Sequence, residues 1–270
     1  MVNSMKVFAS IVLYKHSYQE IKPTLDSLLN SEYIKKIILI DNDSSEWAGN
    51  LTNDRTIYIK SPDNFGFGYG HNIAIKKYTE QSDLFLICNP DISFEPSEFK
   101  KLIDFAESKP DLGLFLPRIM KSDGTNQYGA RLLPTPLNLF TRRFSPKIAT
   151  YLDESYLLKQ FDVQKPIFAP SLLGCFMLFN SKKLLELDGF DERFFMYMED
   201  VDLSRRCAEK FGNIYYPHAF VTHLHEQGSY KNPILLKAHL KSAYQYFNKW
   251  GWFFDAVRKK INEQCINQFK

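Results

Sequence analysis

Long apolar runs are missing from this sequence. Nowhere do about 18 apolar residues follow one another, so no helix is expected to span a bilayer. Met1 to Lys6 lack the basic start and apolar stretch of a secretion signal. The chain is therefore expected on the cytoplasmic side of a membrane unless something carries it elsewhere. Cysteine is scarce: Cys88, Cys175, Cys207 and Cys265 include no pair at zinc-site or redox spacing. They read as small buried hydrophobes in a reducing compartment. A strong charge of either sign is also absent, since 34 basic against 31 acidic residues leave +3. Such a balance does not point to nucleic acid as a partner. No internal repeat or low-complexity tract is present.

What is present is a chain of 270 residues, 44% hydrophobic, enough for one large α/β domain or two small ones. Aromatics at 15% are assigned first to the core. Two basic clusters, Arg142-Arg143-Lys147 and Arg258-Lys259-Lys260, either face phosphate or anionic lipid or form a solvated surface.

Apolar runs over 7–13, 36–40, 56–60 and 84–88 predict buried strands. Helical spacing over 18–29, 71–78 and 95–108 predicts the helices between them. This alternation implies a mostly parallel sheet covered on both faces, with ligands beyond the carboxyl ends of its strands. Two polar loops fall there, Asp41 to Ser45 and Asn89-Pro90-Asp91. The second half is less regular. Strands are expected over 112–117, 172–180, 214–216 and 219–224. Helices are expected over 181–187 with Ser181 as N-cap, 199–210, 232–250 and 252–269. Residues 137–165 read as a mobile stretch, and Asp123-Gly124 as a turn.

Four constellations carry chemistry. Asp91, just past a buried strand, is a candidate ligand for a hard divalent cation, Mg²⁺ or Mn²⁺, with Asn89 a neutral helper; an Asx turn is the alternative. Glu199, Asp200 and Asp202 exceed what a helix N-terminus needs. Asp200 is the candidate general base. Asp202 is expected to orient a loop or bind an acceptor, with Arg205 or Arg206 as its partner. Asn64 to Asn72 carries Gly66, Gly68 and Gly70, a backbone able to approach a ligand at a helix start, without Walker or dinucleotide spacing. His223 and His225 share one strand face, as metal ligands or as structural residues.

Taken in order, Ser10 to Tyr14, Ile40 to Ser44, Asn64 to Asn72, Asn89 to Asp91, Leu173 to Met177, Gly189 to Leu203, and His223 with Ser229 resemble family-2 glycosyltransferases. That resemblance is closest to the bacterial rhamnosyltransferase-like branch. It implies the GT-A fold over 1–230, with a nucleotide-binding half over 1–117, an acceptor half over 118–230 and a helical extension over 231–270.

By the same resemblance, Asp41 and Asn42 contact base and ribose with backbone near Tyr14, and Asn64, Gly66, Asn72 and Asn89 line the donor site. Asp91 and His223 hold the metal, Asn89 standing where the family has the first Asp of Asp-x-Asp. Asp200 is the base. Glu199, Asp202 and Arg131 are expected near the acceptor. The reaction implied is inverting, from a nucleotide sugar such as dTDP-L-rhamnose to a polyprenyl-diphosphate-linked saccharide of O-antigen or cell-wall synthesis. Trp250 to Phe254 with Arg258 to Lys260 suits a membrane interface, as a peripheral contact on the inner membrane's cytoplasmic face, or core packing with a basic exposed side. Two rivals stand beside this reading. One is a sugar nucleotidyltransferase, against which Leu13-Tyr14-Lys15-His16 lacks glycine; the other is a catalytically degenerate binding module.

Overall fold

The computed structural model describes residues 5–144, 152–224 and 233–270, with side chains left out at 140 and 142–144. His225, Ser229 and Lys147, and the side chains of Arg142 and Arg143, lie outside that set.

Val7–Leu13 (β1) is buried along its whole length, as a continuous apolar run between two helical layers must be. Tyr18–Asn30 (α1) follows. Its N-cap Ser17 accepts the Glu20 N–H, and Glu20 reaches back to the Ser17 N–H, a reciprocal box that fixes where the helix starts. Ile21, Leu25 and Leu28 are its buried apolar face. Ile34–Asp41 (β2), Glu46–Gly49 (α2), Thr56–Lys60 (β3), Phe67–Tyr78 (α3) and Leu84–Cys88 (β4) continue the alternation. Then come Ile92–Ser93 (β5), Pro96–Glu107 (α4), Leu114–Lys121 (β6) and Ala130–Arg131 (β7). Helices at Pro136–Phe144 (α5) and 152–156 (α6) occupy parts of the stretch expected to be mobile. Ile167–Phe168 (β8), Ser171–Leu172 (β9), Phe176–Asn180 (β10), Ser181–Glu186 (α7), Glu199–Lys210 (α8) and Asn213–His223 (β11) lead to Pro233–Trp250 (α9) and Ala256–Asn267 (α10).

One sheet runs β3-β2-β1-β4-β10-β6-β11-β5, with β8 on β11; β7 and β9 form a separate pair. β1 to β4 are mutually parallel, and β10 runs antiparallel between β4 and β6. The expected boundary at 117 therefore falls inside β6, and both halves share one sheet.

Other boundaries differ for physical reasons. The expected strand 172–180 is broken at Leu173-Gly174-Cys175, where β9 pairs with β7 and β10 joins the main sheet. Asn180, not Ser181, caps α7, because its amide oxygen accepts the Lys183 N–H. The two strands expected around 214–224 are one, with an irregularity between Tyr216 and Phe220 around Pro217, which has no N–H for the ladder. All four cysteines are buried and free.

A second apolar cluster, Leu133, Phe194, Met198, Val201, Ala243, Tyr246 and Phe247, joins α9 to the start of α8. Beside it the buried Arg205 donates to both oxygens of Asp255 at 2.6 and 2.9 Å and lies 4.1 Å from the Trp250 ring centroid. Arg258 departs from its expected place in an exposed basic patch. It is buried and donates to the carbonyls of Gly251 and Trp252 in the turn between α9 and α10, and to that of Pro134.

Candidate active site

The parallel register aligns Leu13 with Asp41, so the loops after β1 and β2 open on one sheet edge, where β4 also ends. Asn89-Pro90-Asp91 leaves β4 and is held from below by Thr24, whose hydroxyl donates to the Pro90 carbonyl at 2.7 Å. The short β5 then pairs with the end of β11, matching Ile92 with His223, and the Leu224 N–H donates to the Asp91 carbonyl. This ladder carries two sequence-distant residues together: Asp91 Oδ1 lies 3.2 Å from His223 Nε2.

That contact is not an aligned hydrogen bond, and Asp91 Oδ1 is buried without a donor. The other ring nitrogen, His223 Nδ1, lies 2.8 Å from Gln127 Oε1. With Nδ1–H donating to that oxygen, the Nε2 lone pair points toward the carboxylate. Two electron-rich atoms facing each other are stable when a cation or a proton lies between them. A carboxylate with one imidazole, leaving further positions for diphosphate oxygens and water, fits Mg²⁺ or Mn²⁺. No group of three or more His, Cys, Asp or Glu closes around a point among the described residues. A cation there would take part of its shell from the substrate.

Leu173-Gly174-Cys175 links this pole to the acidic helix. The Cys175 carbonyl accepts the Asn89 N–H at 2.8 Å, and the Gly174 N–H donates to Asp200 Oδ2 at 3.0 Å. A Cβ on Gly174 would lie 2.7 Å from the Asp200 Cβ, so glycine is required for this approach. Asp200 Oδ1 accepts the Val201 N–H. Burial raises the Asp200 carboxyl above its ordinary value, against the charge of Arg131 and the two backbone donors. Glu199, 6% exposed, has an unpartnered Oε2. Burial first, and the Asp200 charge second, raise its carboxyl well above the ordinary 4.5. Tyr197 and Met198, just before this pair, both have φ near +70°, a strained entry that sets the direction of the acidic turn.

Asp202 departs from the acceptor-binding expectation. It is 0% exposed, and its oxygens take Arg206, Lys249 and the Trp250 indole at 2.6 to 2.8 Å. Arg206 is thus the partner expected for it, and Arg205 is not. Asp202 anchors α9, and nothing of it faces a cleft. Arg131 lies in β7 near Asp200, its Nε–H donating to the Tyr128 carbonyl.

On the donor side, Asn42 donates to Asn64 Oδ1 and the Gly66 carbonyl, both at 3.3 Å, and its own Oδ1 has no donor. Tyr14 is exposed, its N–H donating to His16 Nδ1. Asp41 is fully buried and accepts the Asp43 and Ser45 N–H groups and the Tyr58 hydroxyl. Burial, then this bond to Asp41, pushes Tyr58 up to about 12. Asp41 thus shapes the 42–45 loop from beneath. Asn72 is also engaged elsewhere: its amide exchanges bonds with the Phe190 backbone and donates to Glu192, which uses both of its N–H groups.

The glycines prove to be packing devices. α3 begins at Phe67, four residues before its expected start, with Gly66 as N-cap at φ 103°. A Cβ there would meet the Phe195 carbonyl at 1.9 Å, and those on Gly68 and Gly70 would strike Phe190 and Val12. The helix thereby seats directly on the segment that leads to Asp200.

Sequence reasoning gave no role to Gln127 or to the Gly174 N–H. Gln127 carried no signal, being a lone polar residue after a turn. Gly174 was visible inside a motif whose geometry no spacing reveals.

The family model described as Glycosyl transferase family 2 matches residues 10–171. The chain is 28% identical over 254 residues to the N-acetylglucosaminyl-diphospho-decaprenol L-rhamnosyltransferase of Mycobacterium tuberculosis, covering 85% of this chain and 80% of that one. It is 27% identical over 250 residues to the rhamnosyltransferase WbbL of Escherichia coli, covering 87% and 91%. The solved structure of GalNAc-T7 with UDP, GalNAc and Mn²⁺ superposes with a TM-score of 0.66 at 14% identity. That match covers 93% of this chain and 49% of the other, so this chain spans about half of it. The fold is GT-A: a mixed α/β sheet with flanking helices.

Proposed function

Because the chain belongs to glycosyl transferase family 2, we propose that it moves a sugar from a nucleotide donor to a hydroxyl of a lipid-linked saccharide, with inversion. L-rhamnose from a dTDP donor is the proposed sugar, supported by the names of two relatives at 28% and 27% identity. A polyprenyl-diphosphate saccharide is the proposed acceptor, supported by the decaprenol-linked substrate in one relative's name. O-antigen or a related cell-wall polysaccharide would be the product.

One observation carries the reading. A carboxylate of raised basicity, Asp200, is fixed by the three-residue segment that also fixes the Asn89 end of the Asp91–His223 pair. In the proposed reaction Asp200 takes the proton of the acceptor hydroxyl, whose oxygen attacks the anomeric carbon opposite the departing diphosphate. A single ionised carboxylate suits inversion, whereas retention through a glycosyl-enzyme needs a nucleophile on the other face. Arg131 holds positive charge beside Asp200 and the incoming acceptor. Asn42, Asn64 and the exposed Tyr14 line the nucleotide side.

Asp91 and His223 would hold Mg²⁺ or Mn²⁺, which when bound offsets charge on the leaving diphosphate. Gln127 fixes the tautomer that frees His223 Nε2 for it.

A thermal-shift screen of dTDP-, UDP- and GDP-sugars, with and without Mn²⁺, tests this reading. It predicts stabilisation by a dTDP-sugar that grows with Mn²⁺. A shift with UDP- or GDP-sugars alone would remove the rhamnose proposal, and equal shifts without metal would remove Asp91 and His223 as ligands.

A further inference from the structure

Two aromatic side chains project from the turn between α9 and α10 with almost nothing covering them: Phe253 is 78% exposed and Phe254 is 99% exposed. An exposed apolar pair is costly in water unless a partner receives it. The turn beneath is firm. Arg258, buried, donates to the carbonyls of Gly251 and Trp252, and Asp255 caps α10 through the Arg258 N–H. The two rings are therefore presented by a braced turn.

The patch continues along α9. Trp252 donates to Asn248 and packs edge-on against Tyr244, with centroids 5.8 Å apart. Tyr244, Leu240 and Ile234 are exposed, and Lys237 and Lys241 are exposed on the same turns. Beyond the aromatic turn, Val257 and Lys260 are exposed on α10, as is Lys259, which pairs with Glu263 at 3.9 Å. Between Glu226 and Asp255 the sequence has no acidic residue, and Asp255 itself is buried under Arg205. The surface thus combines protruding aromatics with lysines and carries no aspartate or glutamate on α9.

We propose that the Phe253-Phe254 turn and the outer face of α9 form a docking surface for an anionic lipid bilayer, the two rings entering the headgroup boundary and the lysines meeting lipid phosphates. Charge selects this occupant. A second copy docking through the same face would set lysines against lysines, which an isologous contact cannot relieve. Aromatic and aliphatic groups among basic residues suit the negative interface of a membrane instead.

The inner face of α9 gives this docking a consequence. Ser242 donates to the Met196 carbonyl, and Tyr246 and Phe247 pack with Phe194, Met198 and Val201 around the Asp200 turn. The helix that meets lipid on one side therefore supports the catalytic loop on the other. This purpose rests on the lipid-linked acceptor proposed above, but the docking itself can be measured without any turnover.

The test is co-sedimentation of the full chain with vesicles of phosphatidylcholine alone and of phosphatidylcholine with phosphatidylglycerol. Wild type is expected to partition onto the anionic vesicles, and less so as salt screens the lysines. The Phe253→Ser/Phe254→Ser protein should lose about tenfold or more in partitioning while its melting temperature stays unchanged. A Lys237→Glu/Lys241→Glu protein should lose the preference for anionic lipid. No vesicle binding by wild type, or equal binding by the Phe variant, would overturn the proposal. So would a wild-type dimer that the Phe variant abolishes, since a second copy would then be the occupant. Binding that survives in a protein unable to glycosylate any lipid-linked acceptor would leave the surface standing and remove the acceptor reading.

Discussion

Asp200 and Asp202 lie two residues apart on the first turn of α8, and their surroundings could hardly differ more. Asp202 is sealed, and its oxygens are taken by an arginine, a lysine and an indole. Asp200 is held by backbone N–H groups alone, at the end of a segment reaching the Asp91–His223 pair. The Asp91 pole resembles Asp200: Asp91 Oδ1 has no donor, and His223 faces it without an aligned bond. The contrast separates acids that finish the fold from acids left incomplete for a ligand. Asp41 and Asn42, neighbours in one loop, divide the same way, Asp41 saturated and Asn42 with a free Oδ1.

The sharpest way to break this contrast is to neutralise the incomplete acid. Asp200→Asn should keep donor affinity and lose roughly 10²- to 10⁴-fold in transfer rate, the range for a general base. Neutralising the saturated one should do the opposite. Asp202→Ala leaves Lys249 and Arg206 without their shared partner and should cost about 3–5 kcal/mol of stability. A urea midpoint within error of wild type would place Asp202 among the functional acids after all. Next in size is Gln127→Ala, which frees the His223 ring and should weaken Mn²⁺ affinity in the presence of nucleotide by about 10- to 100-fold. Calorimetry reads this directly, and His223→Ala should lose at least as much.

The smallest effect belongs to Glu199→Gln. Its Oε2 has no partner and burial raises its carboxyl, so the isosteric amide should leave transfer within a few-fold of wild type. Its effect shows in stability instead. With a folded pKa above the ordinary 4.5, Glu199 contributes fully below that pH, and the contribution is lost as pH rises through the folded value. The glutamine variant should lack that slope in denaturant midpoints measured against pH.

Much of this was legible in the sequence where the determinants are local. Runs such as Val7 to Leu13 and Leu84 to Cys88 set the strands to the residue, and the apolar spacing of Ile21, Leu25 and Leu28 set α1. The acidic helix 199–210 also stands as written. Information was missing where two distant segments share one job. The glycines at 66, 68 and 70 resemble a phosphate loop until Phe195, Phe190 and Val12 are seen against them. Asn72 looks free until the Phe190 backbone claims its amide. The basic run at 258–260 looks uniformly exposed, yet Arg258 is folded inward. Spacing reveals which residues lie near one another along the chain, and cannot say which hydrogen-bonding groups are already used.

The pH dependence of kcat/KM for transfer, measured on wild type and Asp200→Asn together, tests the central assignment most directly. Asp200 must be ionised to accept the proton, and burial raises its carboxyl from the ordinary 3.8. The wild-type rate should therefore climb with pH along an acid limb displaced above the usual aspartate range. The residual rate of Asp200→Asn should lack that limb. The same limb in both proteins, or full activity in the variant, would contradict the account.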